Sequence, residues 1–235
     1  MRSKILPLML WGLSIICVIL ALKTSDEPLV SIFNDTWIDR LLQQFGTGNS
    51  LIFNLSIGYL VSIFFYLLVV WYPQKQHKHL IKRNFENHYL TFKKDVIFIF
   101  LQILQISTYD PELILKLSNV TEFRDYFKQP FRDSQDRWDG VLNGFEEYHL
   151  KKILVELEIL MNETAYILNH LEMHDAEVFA FFKRLSYAVY ELKNTTLGYD
   201  EMKPLSAFIW NLFGGYSFIE GCQDYDIVKD MIRKI

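Results

Sequence analysis

Two stretches near the start of the chain have neither a charged side chain nor a helical hydrophobic period. Residues 5–22 read ILPLMLWGLSIICVILAL and residues 51–71 read LIFNLSIGYLVSIFFYLLVVW. A helix of about 20 residues crosses the roughly 30 Å hydrocarbon core of a bilayer, so the pattern predicts a transmembrane helix in each stretch. Residues 23–50 then become the outer loop of a two-helix hairpin. Within that loop Leu29, Phe33, Trp37, Leu41 and Phe45 recur at every fourth position. On a helix they form an apolar stripe, suited either to the headgroup region or to capping the hairpin. A cleaved signal peptide is the rival reading of residues 1–22. Its apolar run exceeds the about 7–15 residues of a signal h-region and no small-x-small site follows, so an uncleaved anchor is expected.

Beyond Pro73, which is expected to interrupt the helix, the period changes. His77 to Ser107 reads as a helix that is amphipathic through Leu80, Phe85, Tyr89 and Phe92, then apolar all round over residues 96–106. That run is too short to span a bilayer and follows Lys93, Lys94 and Asp95, so a buried core helix is predicted. Asp110-Pro111 has the form of an N-cap followed by proline at the first helical position. Further helices are expected from Thr121 to Phe127, from Asp136 to His170, after an Asp175 cap, from Pro204 to a stop at Gly214-Gly215, and from Tyr225 onward. No segment alternates with the period of a strand. The predicted fold class is all-α: a two-helix transmembrane hairpin (residues 1–72) followed by a cytosolic multi-helix domain (residues 73–235).

Charge orients this arrangement. Arg2 and Lys4 precede the first apolar stretch, and Lys75, Lys78, Lys82 and Arg83 follow the second; the loop between holds Lys23 and Arg40 against Asp26, Glu27, Asp35 and Asp39. The positive-inside rule puts both termini in the cytoplasm and makes the chain multi-pass. Basic and acidic residues balance through residue 72, so the whole net charge of −4 lies beyond it. An anionic domain is a poor match for phosphates, and direct nucleic-acid binding is not expected. Cys17 and Cys222, in different parts of the chain, offer no disulfide framework.

Candidate chemistry is sparse. Cys17-x-x-x-Ala21 and Gly58-x-x-x-Ser62 place small residues where membrane helices approach closely, within the hairpin or in a homo-oligomer. His170 and His174 share a helical face at metal-binding spacing, but Glu172 is not placed as in His-Glu-x-x-His, so no metal site is assigned to them. Asp136, Asp139, Glu146 and Glu147 supply carboxylates without a defined separation around a cleft, and surface ion pairing is the simpler account. There is no phosphate-cradling loop, dinucleotide fingerprint or nucleophile elbow. Neither a cofactor nor enzymatic activity is expected. An aromatic content of 16% provides material for a protein-binding groove.

With its two apolar stretches, residues 5–22 and 51–71, and the motif-free helical domain after them, the chain resembles the small transmembrane effectors of bacterial anti-phage systems. The resemblance is in particular to those encoded beside retron reverse transcriptases. The resemblance implies an inner-membrane toxin held silent by a reverse transcriptase with its reverse-transcribed DNA, and released on infection to damage the membrane and arrest the host. Two other classes fit the residues: a membrane-tethered scaffold with an interaction domain, and a membrane enzyme using His170, His174 or the Asp136–Asp139 cluster.

Overall fold

A computed structural model describes residues 2–25, 45, 47–106, 110–131, 135–173, 175–217 and 221–235. The chain divides into two compact units, Met1–His77 and Lys78–Ile235.

In the first unit, α1 (Arg2–Thr24) packs along α2 (Asn49–Tyr66). The inner face of α1 carries Cys17, Ala21 and Thr24, all buried, and Ser56 is the buried residue of α2. Small side chains at this spacing let two helix backbones come close. The Tyr59 hydroxyl donates to the carbonyl of Leu10 at 3.2 Å and ties the pair together. Much of the described outer surface is apolar and open: Trp11 and Ile15 on α1, Leu55, Phe64 and Phe65 on α2, and Val69 just beyond it are all more than half exposed.

Two expectations change here. Among the described residues only one helix, Asn49–Ile103, is long and apolar enough to cross a membrane. The described apolar part of α1, Met9–Thr24, is the shorter of the two and is not such a helix. The two-span hairpin, the multi-pass placement with both termini on one side, and the likeness to two-helix retron effectors built on that layout therefore do not hold. The second change concerns Pro73, which does not end the helix. Leu67–Trp71 forms a π-helical turn in which the N–H of Tyr72 bonds the carbonyl of Leu67, and α3 (Tyr72–Ile103) continues directly from it. Proline lacks an N–H and its ring crowds the carbonyl four residues back. The wider turn just before it accommodates both. The apolar stripe expected at residues 29–41 lies outside the described residues; Phe45 at its end is exposed, with the Lys23 ammonium 4.5 Å from its ring centre.

The second unit is built around the later part of α3. Ile81, Phe85, Tyr89, Phe92, Val96 and Phe100 are buried, and from Val96 the helix is enclosed on nearly every side. The elements that enclose it are α4 (Pro111–Leu117), α5 (Val120–Phe127), α6 (Arg137–Asn143), α7 (Glu147–His170), α8 (Ala176–Leu192), α9 (Tyr199–Gly214) and α10 (Ile227–Lys234). A two-residue hairpin pairs β1 (Tyr216–Ser217) with β2 (Gly221–Cys222). The caps are local and legible: Asp110, Asn119, Asp136, Asp175 and Asp226 each accept backbone N–H groups at a helix start. Asn119 rather than Thr121 caps α5, and the expected helix from Asp136 to His170 breaks at Gly144 into α6 and α7. At Gly144 a β-carbon would lie 2.7 Å from Ile103 Cγ2, so the close approach of two helices excludes a side chain there.

The deepest part of the core is aromatic. Phe100 stands edge-on to Phe127, Trp138 and Phe145, and Phe123 packs on Phe127 and Phe213. Phe100→Ala deletes the ring where α3, α5, α6 and the start of α7 converge. The expected loss is about 3–5 kcal/mol, the range for truncating a buried aromatic, with a matching fall in the denaturation midpoint followed by circular dichroism.

Candidate partner cleft and buried ion pair

A cavity of about 870 Å³ opens between α6 and α9. Asp136 sets the start of α6 by accepting the N–H of Asp139 at 2.8 Å. Arg137 then turns outward, its guanidinium 4.0 Å from the centre of the Tyr126 ring and 2.6 Å from Gln129 Oε1. Gly140 lets α6 sit down on the core, since a β-carbon there would lie 2.8 Å from Phe131 and 3.0 Å from Leu104. The next residue along the inner face, Trp138, meets Trp210 of α9 with ring centres 5.0 Å apart. Both rings are partly exposed and form the cleft floor with Phe145, while Asp139, Asn143 and Asn211 stand on the rim. Partly exposed aromatic rings inside a polar rim have the anatomy of a protein-binding hot spot.

A buried ion pair joins α3 to α10. The Lys93 ammonium, wholly buried, is 2.9 Å from Asp226 Oδ2. The Tyr89 hydroxyl lies 3.0 Å from both oxygens of the same carboxylate. Asp226 Oδ1 also accepts the N–H groups of Val228 and Lys229. One carboxylate is therefore both a counter-ion and a helix cap. Burial lowers the Lys93 pKa, and Asp226 acts against that shift. Burial and the adjacent carboxylate raise the Tyr89 pKa, which keeps the phenol a proton donor. Nearby, the Arg124 guanidinium donates to the carbonyls of Gly214 and Gln223 and pairs with Asp224, holding the hairpin segment against α5. Gly215, at φ 63°, makes the left-handed turn that brings Gln223 into reach.

The residues singled out from sequence are placed as follows. His170 bonds the carbonyl of Tyr166 through Nδ1 at 2.9 Å and stacks on that ring, while His174 lies outside the described residues. Among the described residues no group of three metal-ligating side chains converges. Asp136 is occupied as a cap, Glu146 closes a capping box with His149, and Glu147 pairs with Lys151. Cys17 and Ala21 sit in the buried seam of α1. Gly58 faces open space and the Ser62 hydroxyl bonds its own helix at Gly58 O, so this second small-residue pair lies on the outer surface of α2.

Sequence reasoning missed the Lys93–Asp226 pair, whose members are 133 residues apart. A signal was present: Lys93 falls four residues after Tyr89 and three before Val96, on a face otherwise apolar. Trp210 as a wall of the cleft had no comparable signal. Comparison with known proteins finds no matching family model, no matching curated protein and no matching solved structure.

Asp226→Asn keeps the cap acceptor but strips Lys93 of its counter-charge, and is expected to cost about 3–5 kcal/mol. Lys93→Met leaves a carboxylate still served by Tyr89 and two amides, and should cost less. In Asp226→Asn the folded pKa of Lys93 falls further below the unfolded value of about 10.4, so the unfolded chain binds more protons and stability rises with pH. The deficit relative to the parent chain, read from denaturant midpoints, should therefore narrow as pH rises toward that unfolded value.

Proposed function

We propose that this chain is a membrane-anchored effector whose helical domain receives a protein partner and whose apolar helix acts on the bilayer. The observation that carries the reading is the state of α2. Its helix has the length and composition of a span, yet only 6% of the apolar window is buried. A core helix of a water-soluble fold passes the same length test but is covered by its neighbours. A bare apolar cylinder of this size needs lipid or protein around it. Lys75, Lys78, Lys82 and Arg83 follow it directly, where they can meet anionic headgroups.

The cleft floored by Trp138, Phe145 and Trp210 supports protein recognition as the input. Membrane damage released by a change in that partner is the output this arrangement would serve. A second reading, a tethered scaffold that leaves the bilayer intact, is favoured by the single qualifying helix, since one span holds a domain in place without forming a pore of its own.

Membrane potential, followed with a voltage-sensitive dye during induction of the full chain in a bacterial host, separates the two. Depolarisation is expected, and its loss in Val61→Arg/Phe65→Arg, which puts two charges inside the apolar stretch of residues 51–71 at a cost of several kcal/mol in lipid. A steady potential with the chain in the membrane fraction selects the scaffold. Recovery of the parent chain in the soluble fraction overturns the anchor itself.

A further inference from the structure

α7 is apolar on two opposite faces. One is the core face, where Leu150, Ile153, Leu157, Leu160 and Ile167 are buried. The other carries Tyr148, Val155, Ile159 and Tyr166, exposed by 59, 54, 43 and 42%. Their spacings of seven, four and seven residues are those of a coiled-coil seam, in which a stripe of this kind lies against a partner helix. Ordinary exposed apolar residues are scattered singly; four in register along one helix are not. Val155 also borders two depressions, one of about 390 Å³ reaching to Phe98 and Ile99 and one of about 230 Å³ reaching to Val189. The stripe is thus a ridge with a groove on either side.

The charges beside the ridge identify what covers it. Lys151 and Glu158 flank one side, and His149, Glu156 and Glu163 flank the other; Lys152 lies in the stripe with its ammonium 4.4 Å from the centre of the Tyr148 ring. We propose that this face is a self-association surface on which a second copy of the chain lays its own α7 antiparallel. Tyr148 then meets Ile159 of the second copy, and Val155 packs on the aliphatic stem of its Lys152. On the flanks Lys151 exchanges its pairing with Glu147 for Glu158 of the second copy, and His149 faces Glu156. A two-fold axis makes every one of these contacts twice. A parallel arrangement instead sets Lys152 against its own copy and Glu158 beside Glu163, and like charges so placed repel. The proposal does not rest on the membrane reading, because the surface lies wholly within the Lys78–Ile235 unit.

The test uses the full chain in detergent micelles, its protein mass measured by light scattering after size-exclusion chromatography. The parent chain is expected to be a dimer at micromolar concentration and Ile159→Glu a monomer, with unchanged helical circular dichroism because position 159 faces away from the core. Lys151→Glu and Glu158→Lys should each weaken the dimer about tenfold, and the double exchange should restore it, since reversing both partners re-forms both pairs. A monomeric parent chain overturns the proposal. So does a dimer that Ile159→Glu leaves intact, or a double exchange no tighter than either single variant.

Discussion

Enclosing α3 is the constraint on which the rest of the helical domain depends. From Val96 to Leu104 this helix has almost no polar face, and a helix apolar all round must be covered on every side. No single neighbour can do that. α5, α6 and α9 meet it through Phe123, Phe127, Trp138 and Phe213, α8 through Phe182, which stands edge-on to Phe85, and α10 through Val228 and Ile232. The short helices and tight glycine contacts follow from this geometry. Elements of seven or eight residues can each shield one sector of a cylinder, and Gly140 and Gly144 are bare because their backbones lie against the aromatic and aliphatic tips of other elements.

Much of this was legible in the sequence because its causes are local. A fourfold spacing of aromatic and aliphatic residues marks α3, and Asp110 and Asp175 mark the starts of the helices they cap. The all-α character and the buried segment at residues 96–106 needed nothing more. What could not be read was decided by partners distant in the chain. Pro73 looks like a helix end until the π-helical turn before it is seen, and the break at Gly144 depends on Ile103. Length and composition alone also misled at the N-terminus, since among the described residues only Asn49–Ile103 is long and apolar enough to cross a membrane.

The candidate site was legible only in part. Histidines and carboxylates attract attention in a sequence because they can do chemistry, yet His170 leans on Tyr166, and Asp136 and Glu146 are consumed by helix starts. The cleft instead combines Trp138 with Trp210, and nothing in the spacing of two tryptophans across several helices announces that they will touch. The unused stripe on α7 is a similar case: it stands out only once the structure shows that the buried face of the same helix is the other one, and hence that two sets of apolar positions are present where one suffices for folding.

Asp226 has a consequence for how the domain moves. A terminal helix of eight residues ordinarily frays on its own, with amides that exchange through local opening. The first turn of α10 cannot loosen without withdrawing the carboxylate from Lys93 and leaving a cation inside the core. The end of the chain is therefore joined to the same cooperative unit as α3, and its amide protons exchange only when the interior itself opens.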